Sequence, residues 1–327
     1  SVQPGADIKL FGNGIKLSGS RLASTSGDVE LGSVSAGRVL FNDDLSTDYY
    51  AQVSEYADIS LEGRSLLDVS ASAPGRTLLR GQNIDIMESS AILAETLPEA
   101  PAPLPVLDIP TNFGSEPSGS GLIDIQAVGA VRVSDFDLGP AAPPFHGYLS
   151  VDVAPGATGP GGEIAIAANT LTVDSGGQLG ANTFGSGNAG RLNLDISETV
   201  FLSGGSVLGP SGLFTTADVL GSGQGGQVAI EAGELRMEEG AQIFTNSFNQ
   251  ATAGSVFVEA DRVLLLGTGE LAIGEGVPIE VPSLTIPTLI QSGMGVSAQG
   301  QGGGITIEAG EVLVSDGAEI STGTFGD

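Results

Sequence analysis

The stretch Gln227-Val-Ala-Ile-Glu-Ala-Gly-Glu-Leu-Arg-Met-Glu-Glu-Gly-Ala-Gln-Ile-Phe244 decides the fold. Val228 and Ile230 alternate with other residues, Leu235 and Met237 alternate again, and Ile243 follows. A period of two is the mark of a strand with one face buried and the other wet. The equivalent positions lie seven and then eight residues apart, which leaves room for strands of only three to five residues. A spacing of seven or eight recurs at Ile8, Ile15 and Leu22, at Thr77, Ile84 and Ile92, and at Ile164, Leu171 and Leu179. It recurs again at Leu192, Val200 and Val207 and at Ile305, Val312 and Ile320, while Val256 with Val263 and Ile123 with Val131 fit its first two positions. Turn residues separate the runs, as at Gly12-Asn13-Gly14, Ser175-Gly176-Gly177 and Asp316-Gly317.

Three short strands with turns between them describe one coil of a solenoid. A three-residue strand has no stability alone, but stacked ~4.8 Å above its equivalent it gains ladder hydrogen bonds and buries its inward residue in a column. From Ile164 the first-strand positions step by 28, 36, 28 and 49 residues to Leu192, Val228, Val256 and Ile305. The steps of 28 read as bare coils and the longer ones as coils carrying loops. A superperiod of two coils places Phe184, Phe248 and Phe325 each five residues after a third-strand position, where they read as packing at a corner. The chain from residue 1 to 327 reads as one such domain, about nine or ten coils long. It is expected to be part of a longer chain, because neither end shows the polar cap that terminal coils need.

Three segments break the rhythm and read as loop excursions. Residues 94–119 are proline-rich, residues 136–162 hold five prolines and the sole histidine, His146, and residues 267–302 are rich in glycine and proline. The stretch from Arg38 to Asp58 is the least regular. No stretch shows the apolar periodicity of a helix. The longest uncharged run, Val281 to Ile307, is broken by Pro282, Pro287 and several glycines and cannot form a spanning helix.

Composition narrows the function. There are 39 acidic and 11 basic residues, a net charge of −28 that repels phosphate backbones and excludes nucleic-acid binding. With no cysteine and one histidine there is neither a thiolate nucleophile nor the usual ligand set for zinc. Gly185 to Gly190 and Gly221 to Gly226 both match the dinucleotide fingerprint, but strands follow where that fingerprint requires a helix N-terminus, so both read as turns.

Gly27-Asp-Val-Glu-Leu-Gly-Ser-Val34, Ala57-Asp-Ile-Ser-Leu61, Gly223-Gln-Gly-Gly226 with Gln227 to Ala232, Ser211-Gly-Leu-Phe-Thr-Thr216, and Gly317-Ala-Glu-Ile-Ser-Thr-Gly-Thr-Phe-Gly326 carry a resemblance. Together they resemble the repeat region of large cyanobacterial exoproteins of the filamentous-haemagglutinin type. The resemblance implies an all-β, right-handed parallel β-helix exported by two-partner secretion through an outer-membrane pore. It further implies an extracellular or cell-surface location and a structural or adhesive role, as an adhesin, filament or surface-layer component. Partners consistent with it are cell-surface or matrix carbohydrate or protein, and further copies of the chain stacked end to end.

The rival reading is a carbohydrate-active β-helix enzyme, a polysaccharide lyase or glycoside hydrolase. Glycoside hydrolysis needs two carboxylates at a controlled separation, and among 39 acids some pair always meets that condition. Asp135 with Asp137 and Asp43 with Asp44 are the candidates, each also readable as a solvated turn. A lyase needs a basic group, and beyond Arg80 only Arg132, Arg191, Arg236 and Arg262 are available. The chain is therefore expected not to be an enzyme, and no catalytic or cofactor-binding residue is assigned.

One charge pattern reaches further. Asp195, Glu231, Glu259 and Glu308 hold the same outward position in consecutive coils. Carboxylates ~4.8 Å apart repel by roughly 0.9 kcal/mol in bulk water, and calcium, a hard cation that favours carboxylate oxygens, could bridge them. Calcium at millimolar concentration is then expected to raise the melting temperature more than sodium at matched ionic strength. Substituting Glu231→Gln and Glu259→Gln should remove the difference. Equal stabilisation by both salts, before and after substitution, leaves only screening.

Overall fold

The computed structural model describes residues 4–40, 49–99, 120–135, 147–207, 209–271, 284–295 and 298–323. None of these residues is helical. Strand follows strand in nine passes of the chain.

The first pass comprises β1 (Ile8–Gly12), β2 (Ile15–Ser18) and β3 (Arg21–Ala23), and the second β4 (Val29–Arg38), β5 (Gln52–Tyr56), β6 (Ile59–Glu62) and β7 (Leu66–Asp68). The third has β8 (Arg76–Gly81), β9 (Ile84–Ile86) and β10 (Ala91–Leu93), and the fourth β11 (Leu122–Ala127), β12 (Ala130–Ser134) and β13 (Tyr148–Ser150). In later passes the first two strands run together. The fifth has β14 (Glu163–Asp174) and β15 (Gln178–Gly180). The sixth has β16 (Arg191–Ser203), β17 (Gly205–Ser206), β18 (Gly209–Pro210) and β19 (Gly212–Phe214). The seventh has β20 (Gln227–Glu238) and β21 (Gln242–Phe244). The eighth has β22 (Ser255–Leu266), β23 (Thr268–Leu271), β24 (Leu284–Pro287) and β25 (Leu289–Gln291), and the ninth β26 (Gly304–Ser315) and β27 (Glu319–Ser321).

Apart from β5, which meets β4 antiparallel, and the hairpins β17–β18 and β23–β24, each strand pairs in parallel with its equivalent one pass away, in a 14-stranded and a 9-stranded sheet. Register carries one apolar column through all nine passes on the first strands: Ile8, Val29, Thr77, Ile123, Ile164, Leu192, Val228, Val256 and Ile305. On the third strands the column is Leu22, Leu67, Ile92, Leu149, Leu179, Leu213, Ile243, Ile290 and Ile320. The second strands supply two more columns, led by Ile15 and by Leu17. These columns meet in a single hydrophobic core in which Leu67, Ile84, Ile123, Leu149, Ile164 and Leu179 are fully buried. Burying each such side chain is worth about 1.5–3 kcal/mol, and the contribution repeats at every pass.

Corners are held by two devices. Where one pass crosses the next closely, only glycine fits: a Cβ on Gly190 would lie 2.1 Å from the Gly162 carbonyl oxygen, and one on Gly226 would lie 2.0 Å from that of Gly190. The glycines of both fingerprint-like segments serve this crossing, with β16 and β20 following them as expected. After the third strand the ladder thins to single parallel bridges, and side chains supplement it. Asp152 Oδ1 accepts the Asn182 N–H at 2.6 Å, Asn182 Oδ1 accepts the Thr216 N–H at 2.9 Å, and Asn246 Oδ1 accepts the Gly293 N–H at 2.8 Å.

The structure departs from the sequence reading at several points. Val207 is not a third-strand position: the β17–β18 hairpin intervenes, Val207 is exposed, and Leu213 takes the column. Residues 136–162 are not one excursion, because β13 lies inside them with Leu149, Val151 and Val153 fully buried. Nor are residues 267–302, which contain the β23–β24 hairpin, the ladder strand β25 and the buried Met294. In residues 94–119 the ladder persists to Thr96, which bridges both Ala71 and Val153. Residues 100–119, 136–146 and 272–283 lie outside the described residues. A three-residue strand set among prolines and glycines has too few positions to show periodicity, which is why composition hid these segments. Phe248 is exposed rather than enclosed, its ring lying over Gly295, and Phe184 is half-buried. Phe325 is outside the described residues.

Thr77 is the one polar member of the first column. It is fully buried between Val29 and Ile123, and its Oγ1 has no hydrogen-bond partner. Replacing it with the isosteric valine removes an unsatisfied hydroxyl, a gain of about 1 kcal/mol. Thr77→Val is expected to raise the thermal midpoint by about 2 °C, measured by differential scanning calorimetry. A lower midpoint would show that the hydroxyl is satisfied in solution.

Candidate functional site

On the outer face of the first strands, one column reads Phe11, Gly32, Arg80, Gln126, Ala167, Asp195, Glu231, Glu259 and Glu308. Its upper half is built up into a site. Past its pairing with β1, β4 continues and is met by the antiparallel β5, with register shifts on either side of Ala36. This arm brings Tyr49, Tyr50 and Tyr56 over the sheet, three of the four tyrosines in the chain. Gly32 makes the room: a Cβ there would meet the Tyr50 hydroxyl at 2.5 Å and a Phe11 ring carbon at 2.6 Å. Ring centroids of Tyr50 and Phe11 are 6.3 Å apart, and those of Tyr50 and Tyr56 are 6.1 Å apart, both pairs tilted.

Polar groups are threaded through the aromatics. Tyr50 Oη donates to Glu30 Oε1 at 2.9 Å, and Glu30 is only 3% exposed. Burial, with the Glu30 carboxylate next, pushes the Tyr50 hydroxyl far above its ordinary value, so it stays a donor. Lys9 Nζ lies 3.6 Å from Glu30 Oε2 and 5.3 Å from the centre of the Tyr49 ring. Arg76 grips Asp28 through Nε and Nη2, and Arg80 Nη2 donates to Asp124 Oδ2 at 2.8 Å. The groove so formed has a volume of about 530 Å³. A second groove of about 460 Å³ adjoins it, shares Tyr56, Arg80 and Gln126, and continues over Ala167 to Asp195. Together they form an open trough that crosses six passes.

The residues singled out from sequence lie elsewhere or at its end. Asp195, Glu231, Glu259 and Glu308 do fall in one column on adjacent passes, and all four are exposed. Only Asp195 touches the trough. Among the described residues no three histidine, cysteine, aspartate or glutamate side chains converge as a metal cage. Asp135 is not a solvated turn residue: it is 4% exposed and accepts a hydrogen bond from Ser89 Oγ at 2.9 Å. Asp43, Asp44, Asp137 and His146 lie outside the described residues. The tyrosines were missed because they sit in the irregular stretch from Arg38 to Asp58. Their crowding into eight residues of a chain with four tyrosines was the available signal.

A second polar cluster lies at the corner after the third strands. Tyr148 Oη donates to Asp152 Oδ2 at 2.7 Å, and Ser150 Oγ donates to Glu95 Oε1 at 2.7 Å. Burial raises the Asp152 carboxyl above its ordinary value, against the opposing hydrogen bonds from Asn182 and Tyr148. Burial also raises Glu95, with the Asp152 charge adding to it. The Tyr148 hydroxyl, both Asp152 oxygens and the Ser150 hydroxyl are committed within the fold, so the cluster reads as structural.

Comparison of the chain with protein-family models, curated proteins and solved structures returns no match.

The corner acids make a pH-dependent contribution whose sign is fixed. A carboxyl with a raised folded-state value stabilises the fold fully below its unfolded value, and that stability is lost as pH climbs through the folded value. Asp152→Asn mimics the protonated state. The variant should melt about 1–3 °C above the parent at pH 8, and the gap should close as pH falls toward ~4. A variant less stable at pH 8 would show that the ionised Asp152 is the favoured partner of Asn182.

Proposed function

We propose that this chain is the body of a secreted or cell-surface structural and adhesive protein, wound as a right-handed parallel β-helix. The observation that carries the reading is the in-register column of apolar residues through nine parallel passes. Parallel strands of one sheet joined by crossovers are right-handed in about 98% of cases, which supplies the handedness. A stack held by nearest-neighbour contacts gains length by adding passes without redesigning its core, and that suits an element that spaces or displays other surfaces.

Charge and covalent chemistry are compatible with an extracellular setting. A body at −28 stays soluble and resists non-specific association with like-charged envelopes. A chain without cysteine needs no particular redox compartment. The resemblance to filamentous-haemagglutinin-type repeats adds export through an outer-membrane pore and a role as adhesin, filament or surface-layer component. Among the described residues no helix is long and apolar enough to cross a membrane.

The reading is tested on intact cells of the native producer. Antibody to the chain should label them without permeabilisation, and protease added outside should remove the label. Labelling that appears only after lysis would overturn the surface assignment. Reducing ends or unsaturated uronides released from polysaccharide by the purified chain would overturn the non-enzymatic role.

A further inference from the structure

We propose that the tyrosine-walled trough on the outer face of the first strands is a binding site for a neutral polysaccharide chain. The inference rests on the proposed adhesive role and names the ligand class that role would use. Four observations converge on it.

Shape is the first. The two adjoining grooves follow the stacking direction from Lys9 in the first pass to Asp195 in the sixth. At ~4.8 Å per pass, that is a path of about 24 Å. An open, linear path of this length suits several units of an extended polymer rather than one small molecule. Its floor is kept low where the column carries Ala167, and Tyr56 stands midway, lining both grooves.

Aromatic placement is the second. Aromatics make up 5% of the chain, yet Phe11, Tyr49 and Tyr50 gather at one end of this path and Tyr56 follows them midway. Tyrosine offers an apolar ring face with a polar rim, which matches a sugar ring's C–H face and its equatorial hydroxyls. None of these rings belongs to the hydrophobic core.

The third is the state of the charges. Lys9, Arg76 and Arg80 are each paired with a carboxylate of the protein, Glu30, Asp28 and Asp124 respectively. Paired groups keep directed N–H donors and oxygen lone pairs but offer little net charge to an ion. Hydroxyls, which donate and accept together, are the matching ligand chemistry. Gln126 and Asn169 extend the same capacity along the path.

The fourth is the surrounding field. At −28 the body repels an anionic polymer, so uronate or sulfated chains are disfavoured. A cationic polypeptide would be attracted to the exposed acids from Asp195 to Glu308 and would not need the tyrosines.

The test uses the full chain in native affinity electrophoresis. The gels carry a β-linked glucan, an α-linked glucan, a mannan, or polygalacturonate as the acidic polymer, and polylysine binding is measured separately. Two variants are compared with the parent: Tyr56→Ala, which removes the central ring, and Ala167→Trp, which fills the floor from an outward position on β14. At least one neutral polymer should retard the parent, with no retardation by polygalacturonate. Each variant should weaken binding about tenfold while its melting temperature stays within a degree or so of the parent. If Tyr56→Ala melts low because it loosens the arm, Ala167→Trp decides alone. Absence of retardation by every neutral polymer, or equal retardation of parent and both variants, would overturn the proposal. So would binding confined to polygalacturonate or polylysine. Surface labelling of intact cells is read independently, so a displayed chain that binds no neutral polymer overturns this site and leaves the surface role standing.

Discussion

Parallel hydrogen bonding between equivalent strands of successive passes, in one fixed register, is the constraint from which the rest of the structure follows. A strand such as β15 or β21 has three residues, and by itself it would not outlast the entropy of ordering its backbone. Paired above and below, it satisfies its N–H and C=O groups and places Leu179 or Ile243, both fully buried, into the column. A slip by one residue would turn each column inside out. Long strands such as β16 and β20 hold the register over eleven paired positions, with one shift between Ile196 and Thr199, and the short third strands follow it.

Corners are where this constraint becomes most demanding. The chain must turn at the same height in each pass, and its backbone then lies directly on the backbone below. Gly162, Gly190, Gly226 and Gly254 stack for that reason, each with the preceding pass's carbonyl oxygen where a Cβ would have to go. The residues Asp152, Asn182 and Asn246 answer the opposite need. There the ladder loosens, and side chains accept the N–H groups that would otherwise be left buried and unpaired. Glycine-rich spacing that superficially matches a nucleotide-binding motif is thus a by-product of stacking.

With the interior committed to the columns and the corners committed to turning, recognition is left to the outward positions. Outward residues sit one pass apart in straight rows, so any ligand read by them is read as a line. Two rows illustrate the range. Glu234, Arg262 and Glu311 alternate in sign, and Arg262 bridges both glutamates at 3.0 Å, a pattern that ties three passes together. Exposed pairs of this kind contribute little each. The row from Phe11 to Asp195 carries no such alternation, and there the arm formed by β4 and β5 adds a wall of tyrosines.

Sequence periodicity by itself determined that the chain is all-β, that its unit is three short strands, and which residues face inward in most passes. It also placed Asp195, Glu231, Glu259 and Glu308 in one row. These follow from local rules, because alternation and turn residues act over a few neighbours. Tertiary structure alone decided where the rhythm resumes after an interruption. Leu149, Leu213 and Ile290 enter their column only because parallel pairing with the neighbouring pass selects them, and no spacing from the preceding strand predicts it. The trough is of the same kind. Lys9, Tyr56, Arg80 and Ala167 are separated by as much as half the chain, and what brings them together is the stacking of passes, whose contacts are fixed by register and not by distance along the sequence.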